Sequence, residues 1–447
     1  MLNTGRSRWG RLSRGLAAVS LWLAATPGTA GSPNPAPLQN LESGVLHTLS
    51  VPLDHHHPES GSRPIRYELG RPWQSGRPAV LVVADGQQYY MRPGAASALQ
   101  KEVFGDDLNV VGILSRGGTP EFVSAALDAS GRPDWQAAWT IFNADQWLED
   151  IDAVRRAVVG PTGRVSLYGR SGGAYLVHQY LAKHGAHVDR AFTQSAVSPA
   201  LNRELRIPIE SFWEELGRQD PGLQTLLSNT LGLRPADRLA ILVTLQRQHF
   251  FVAADQLRSA RGALIRALAQ GDEAAFTKAR LDYQVDQILA LCRSTDAVPQ
   301  MVRELELLHP AAAFDPAPVG NVRPLVDSQR EFLRPLLDLV AERRIPAPAF
   351  DLVPAHRLFD TEVFILAGRW DEAVDYRTQI ALAHAYPRQL LFIANDNHVF
   401  VDLDKNGVRS QMIRAFLRAG LGSPEMDAAL RATEPLRWRE HEEAPMK

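Results

Sequence analysis

The sequence predicts an α/β protein: a mostly parallel central sheet interrupted by an inserted helical cap. Three features carry that expectation. Residues 47–198 alternate short β-like runs with helical ones. Two of those runs, "AVLVVAD" (Ala79 to Asp85) and "LNVVGIL" (Leu108 to Leu114), are almost continuously apolar, as strands buried on both faces of a parallel sheet are. From Pro199 to about Ala355 no β-like run occurs, and strand and helix then resume.

Taken in order, "HTLSVPL" and "IRYEL" read as the first two strands, followed by the two apolar runs with a helix over 94–104 between them. Asn143 to Val158 is an amphipathic helix, with Trp147, Leu148, Ile151 and Val154 at helical spacing. Asn143 is placed to cap it, with Gln146 three residues on. "RVSLYG" is the next strand, "GGAYLVHQYLAKHG" the next helix and "VDRAFTQSAV" the strand after it. The insertion reads as helices over "SFWEELGRQ", "LQTLLSNTL", "LAILVTLQRQHFFVAADQLRSARGALIRAL" and "AAFTKARLDYQVDQILALCRS". "TEVFILAG" and "QLLFIAND" are then strands, and Arg377 to Tyr386 and "GVRSQMIRAFLRAG" helices. The expected divisions are a signal peptide over 1–30, a first core segment over 31–199, a helical cap over 200–355, a second core segment over 356–430 and a polar tail over 431–447.

Composition narrows the function. The chain is 45% hydrophobic and 22% charged, an ordinary globular balance. A formal charge of -2 supplies no basic field for nucleic acid. Arg6, Arg8, Arg11 and Arg14 precede the apolar run "GLAAVSLWLAA" and the small-residue stretch "TPGTA". That pattern reads as a signal peptide cleaved near Ala30, with an uncleaved N-terminal anchor as the alternative, and the expectation is a secreted or periplasmic protein with no stable membrane insertion after cleavage. Cys292 is the only cysteine, so no internal disulfide forms, and it reads as a packing residue on a helix face.

The chemistry is concentrated in "LYGRSGGAYL". Gly169-Arg170-Ser171-Gly172-Gly173 satisfies G-x-S-x-G between an expected strand and an expected helix, the context of a nucleophile elbow. Small neighbours allow a tight turn at Ser171, and the Gly172 N–H can face a developing oxyanion. Serine is a weak nucleophile without a base, and this architecture orders serine, acid, histidine along the chain. Of the late histidines, His384 falls within a helical pattern and His441 in the charged tail. His398, in "DNHVF" just past a strand, is the expected base. "FILAGRWDEAVDY" offers Asp371, Glu372 and Asp375, and Asp371 follows the strand most directly. The Gln87 N–H, in the loop "DGQQYYMRPG", is the expected second oxyanion donor, and "SRGGTP" (Ser115 to Pro120) is expected to shape the same rim.

These residues resemble the α/β-hydrolase superfamily, and within it the prolyl-iminopeptidase and tripeptidyl-aminopeptidase branch of serine peptidases. The resemblance rests on "VPLDHHHP", Arg116-Gly117-Gly118, "DIDAVRRAV", the elbow, the helical insertion, "AGRWD" and "NDNH", over roughly 47–198 and 361–420. It implies an α/β-hydrolase fold and an aminopeptidase acting on short peptides from the N-terminus, without metal or cofactor. The chain departs from the branch in its loop "ADGQQYY", which lacks the pattern's His and Pro, and in its elbow G-R-S-G-G. A carboxylic-ester hydrolase is therefore the second expectation, and a catalytically silent hydrolase-fold binding protein the third. A free α-amino group needs a carboxylate partner, and Glu210, Glu214 and Glu215 in "IESFWEELG" open the insertion that would lie over the serine.

Other polar clusters read as structural. "DLDKNG" starts like a calcium loop but has Ile413 where a Glu ligand belongs. "DHHHP" (Asp54 to Pro58) has no partner cluster and reads as a turn. His178, His184 and His187 are expected on the surface, and the arginines of "RSARGALIR" on a solvated helix face.

Overall fold

The computed structural model describes residues 45–84, 91–316, 318, 320–348, 360–405 and 407–439. The proposed signal peptide and Gln87 lie outside them. One sheet is built from β1 (Leu46–Pro52), β2 (Ser62–Leu69), β3 (Ala79–Val83), β4 (Asn109–Leu114), β5 (Val165–Arg170), β6 (Val188–Gln194), β7 (Glu362–Gly368) and β8 (Gln389–Ala394). The spatial order is β1-β2-β4-β3-β5-β6-β7-β8. β1 and β2 pair antiparallel, as do β2 and β4, and every later neighbour is parallel. This is the α/β-hydrolase fold, with its helical insertion between β6 and β7.

The near-absence of polar residues in β3, β4 and β7 follows from burial on both faces. Period-two alternation divides each strand between two cores. Leu81, Leu167, Ala191, Val363 and Ile365 enter the core shared with helices Ala144–Val159 and Gly172–His184. Val80, Tyr168, Phe192, Phe364 and Leu366 enter the opposite core, closed by helices Val408–Ala419 and Pro424–Thr433. There Phe192 stacks on Phe364 with ring centroids 4.6 Å apart, and Phe416 covers both.

The helical segment is divided more finely than its periodicity predicts. The long run over 239–268 breaks into Arg238–Gln248 and Ala254–Ala269, and the run over 274–294 into Glu273–Asp282 and Val285–Leu291. Gln284, at φ 55°, makes the second break. Phe212, Leu216, Leu227, Ile241, Leu245, Ile265 and Phe276 form a separate small core. Helices Val298–Leu308 and Pro324–Ala341 instead place Met301, Val302, Leu305, Leu333 and Leu336 in the core of the sheet. The far part of the insertion is thus a lobe of its own, and the near part is fused to the sheet.

Several polar residues sit differently from expectation. Arg116, in the segment Ser115 to Pro120, is fully buried: it clamps Asp150 with Nε to Oδ2 at 2.7 Å and Nη2 to Oδ1 at 2.8 Å. Its Nη1 also donates to the carbonyls of Ile141 and Leu53. His178 is buried too, its Nδ1 2.5 Å from the Tyr386 hydroxyl, because its helix is covered on both sides. Asn143 does not cap its helix. Its amide turns back to the Trp139 and Thr140 carbonyls, and Glu306 takes the first N–H, that of Ala144, at 2.7 Å. Residues 431–439, expected as the start of a polar tail, continue a helix to Thr433 and then return to β8, where Trp438 N donates to Ile393 O.

Removing the carboxylate from the Arg116 clamp strands a buried cation. Asp150→Asn is expected to lower stability by about 3–5 kcal/mol. Urea unfolding should show an earlier midpoint at unchanged slope.

Candidate active site

Ser171 is the single residue between β5 and helix Gly172–His184, and it has φ 52° and ψ -123°. A serine held there costs on the order of 1–3 kcal/mol, so its surroundings must impose the geometry. Ser171 N donates to Gln194 O at 2.8 Å, tying the turn to β6, and Tyr175 N donates to Ser171 O at 3.1 Å. Gly169 is required by close approach: a Cβ there would lie 2.6 Å from Gly173 O. Gly172 opens the helix, so its N–H is one of the first-turn donors that the helix does not consume, at the positive end of the dipole.

Two further candidates meet at the same edge of the sheet. Asp371 follows β7 and His398 follows β8, and β7 and β8 are parallel neighbours. Their ends are drawn together by Arg369 N to Ala394 O at 2.8 Å and Trp370 N to Asp396 O at 3.0 Å. Gly368 leaves no room for a side chain: a Cβ would sit 2.7 Å from Asp396 O. The loop carrying His398 is shaped by its own side chains. Asp396 Oδ2 accepts from Asp402 N and Leu403 N, and Asn397 Oδ1 from Val399 N.

His398 Nδ1 is 2.8 Å from Asp371 Oδ2. The Asp371 side chain is fully buried and that of His398 10% exposed. Burial pushes the Asp371 carboxyl up, but the adjacent imidazole, Ser195 and the Val374 N–H outweigh it and hold it below its ordinary value. Asp371 Oδ1 also accepts from Ala373 N and Val374 N, both at 2.9 Å. A charged acid fixed this way holds the Nδ1–H tautomer of His398, leaving Nε2 to accept a proton.

The neighbouring carboxylates have other partners. Asp375 caps helix Tyr376–His384 through Arg377 N and pairs with the Arg377 guanidinium. Glu372 forms a two-pronged pair with Arg261 of the insertion, at 3.1 and 2.5 Å. Burial opposes its charge, and Arg261 more than compensates, so Glu372 also lies below its ordinary value. Arg261 is buried, unlike the solvated arginine expected, while Arg258 is exposed and Arg266 pairs with Asp220 at the surface.

Among the cap glutamates, Glu214 is exposed, and Glu215 touches Ser211 and Arg218. Glu210 is half-buried and accepts from Leu325 N at 3.0 Å and Val326 N at 3.2 Å, at the start of helix Pro324–Ala341. Its carboxyl is pushed up to about 7: burial is the largest cause, the two N–H donors oppose it, and the negative charges of Asp327 and Glu372 add to it.

The turn His249-Phe250 carries no motif, and sequence reasoning passed over it. The Phe250 ring stands edge-on to His398 at 5.5 Å, and His249 is packed against Phe250 at 3.8 Å. His249 is buried, and its Nε2 makes no hydrogen bond. Burial pushes its pKa down to about 4, against opposing effects of Glu372 and Asp371. The unbroken helical pattern expected over 239–268 gives no sign of it.

A cavity of about 700 Å³ lies elsewhere, lined by Asp54, Trp139, Tyr175, Glu306 and Arg344 among others. None of Ser171, Asp371 and His398 reaches it. Chemistry rather than cavity size therefore marks the candidate site.

No protein-family model and no curated protein sequence matches the chain. Solved structures with a similar overall fold include an esterase from Exiguobacterium antarcticum, at 13% identity and TM-score 0.40 over 80% of this chain and 97% of that one. A bromoperoxidase from Bacillus anthracis is similar at 15% identity and TM-score 0.39, over 82% of this chain and 98% of that one. Homoserine O-acetyltransferase from Staphylococcus aureus is similar at 15% identity and TM-score 0.42, over 87% of this chain and 99% of that one.

Two consequences can be measured. Gly169→Ala forces the elbow helix away from β5 and is expected to cost about 1–3 kcal/mol by overpacking. His249 titrates near 4 when folded and near 6.5 when unfolded. As pH falls the unfolded chain takes the proton first, so the stability this residue allows is complete above 6.5 and is lost toward 4. Wild type should lose about 3 kcal/mol over that window that His249→Gln retains, read by urea unfolding at pH 7 and pH 4.

Proposed function

We propose that the chain is a serine hydrolase acting through an acyl-enzyme. The supporting observation is the dry Asp371–His398 hydrogen bond at the sheet edge that also presents Ser171 on a strained turn. In this reading Ser171 Oγ attacks an acyl carbon while His398 Nε2 takes its proton. Asp371 orients the imidazole and stabilises its charged form. The Gly172 N–H, with Gln87 as second donor, holds the oxyanion. His398 returns the proton to the leaving group, and water then releases the acyl group by the same steps in reverse order.

The substrate class we favour is short peptides cleaved from a free N-terminus. Glu210 supports it. Desolvation and two neighbouring acids make its charged form costly, so an ammonium group beside it would be bound with gain. Its two N–H contacts leave lone pairs over, since each carboxylate oxygen accepts more than one hydrogen bond. Glu214 and Glu215 remain secondary candidates. Ester hydrolysis is the second reading, favoured by the apolar Phe250 wall against His398. We place the enzyme outside the cytoplasm, on the strength of its N-terminal sequence.

Arylamides of one to three residues with free or blocked N-termini, beside p-nitrophenyl esters, separate these readings. The expected result is turnover of free-amine arylamides, loss on blocking, and loss of all turnover in Ser171→Ala. Glu210→Gln should lower the ratio of kcat/KM for free-amine substrates over esters at least tenfold. Turnover of esters alone would remove the peptidase assignment and leave the hydrolase.

A further inference from the structure

The helical insertion touches the seat of each candidate catalytic residue, and two of those contacts are made by buried arginines. Arg303, on helix Val298–Leu308, is fully buried. Its Nη2 donates to the Gly172 carbonyl at 3.2 Å and to Gln179 Oε1 at 2.9 Å. Its Nη1 donates to Glu306 Oε2 at 2.9 Å, and its guanidinium lies over the Tyr175 ring at 5.4 Å. Gly172, Tyr175 and Gln179 lie on the elbow helix, and Tyr175 N is bonded back to Ser171 O. Arg261, on helix Ala254–Ala269, grips Glu372 from the other side and lies over Phe212 at 4.7 Å. Glu372 is the second residue of the turn that Asp371 closes on Ala373 N and Val374 N, so the side chain Arg261 grips belongs to the same turn that aims Asp371.

A stability role does not require this placement. Apolar side chains of similar volume often replace buried ion pairs without loss of stability. A planar, always-charged fork fixes direction as well as distance. Arg303 fixes the Gly172–Gly173 peptide, and with it the orientation of the neighbouring Gly172 N–H. Its cation also lies buried beside the turn where an oxyanion would form, where screening is weak.

We propose that Arg303 and Arg261 are positioning residues: the insertion sets the rate of acyl transfer by holding the nucleophile elbow and the acid turn through these two guanidinium groups. The inference rests on the serine-hydrolase reading above. Neither residue touches the reacting atoms, so each acts through the group it holds. The effect therefore belongs in kcat, with little change in substrate binding.

The test uses the mature chain with Arg303→Met, Arg303→Lys, Arg261→Met and Arg261→Lys. Two pair-neutral doubles, Arg303→Met with Glu306→Gln and Arg261→Met with Glu372→Gln, leave no buried charge alone if a single variant fails to fold. For each folded protein the rate of fluorophosphonate labelling at Ser171 and the kcat and KM for a p-nitrophenyl ester are measured beside the urea midpoint. The expected result is at least a tenfold fall in labelling rate and kcat in the Met variants and doubles, less than threefold change in KM, and partial recovery with Lys. Folded doubles that label and turn over at the wild-type rate would show the arginines to be structural and overturn the inference, with the hydrolase reading intact. Wild type that fails to label at Ser171 overturns that reading and this inference with it.

Discussion

A charged carboxylate buried at the end of a strand must be compensated by fixed partners, and Asp371 imposes that requirement on the carboxyl edge of the sheet. Its two oxygens accept from His398, Ala373 and Val374. Those bonds oblige the turn after β7 and the loop after β8 to keep one relative position. The glycine at 368 follows from the same demand, because the His398 loop passes within contact of that backbone. The side chains of Asp396 and Asn397 then satisfy the N–H groups of the loop that water cannot reach. The bonds that hold Asp371 and His398 in register thus also compensate the buried charge.

The strands and their neighbours were legible because sheet burial leaves a pattern that depends only on the strand itself. Apolar runs such as "AVLVV" and "EVFILAG" show two buried faces whatever packs on them. The elbow was legible for a similar reason, since a sharp turn between strand and helix restricts several adjacent positions at once. Residues 431–439 were not legible. Their attachment to β8 combines backbone bonds of Ile393, Asn395, Leu436 and Trp438 with Arg437 lying over the Phe392 ring, partners that no local pattern in 431–439 reveals.

Charged side chains were the least legible part of the chain. In "RSARGALIR" nothing local separates Arg261 from Arg258 and Arg266, yet Arg261 is buried because Glu372, more than a hundred positions away, is buried opposite it. Glu306 and Arg303 are alike in this respect: the first replaces Asn143 as the partner of the Ala144 N–H, and the second reaches the elbow from the insertion. An arginine's surroundings are set by whichever element arrives to meet it. Helical periodicity states only which face it occupies.

The run Asp371, Glu372, Asp375 shows how one short acidic stretch is divided into separate tasks by its surroundings. Asp371 faces an imidazole, Glu372 a guanidinium from the insertion, and Asp375 the N–H groups of the helix it starts. Exchange between these roles is blocked by geometry, because the Asp371 turn fixes the direction in which Glu372 leaves the backbone. Arg261 also keeps the Glu372 charge neutralised beside Asp371, so two acids a residue apart can both stay ionised. Without that cation the two carboxylates would compete for charge in a dry site, and Glu372, whose chief compensation is Arg261, would be the first to take up a proton. The insertion therefore contributes to the electrostatics of the candidate site as well as to its shape.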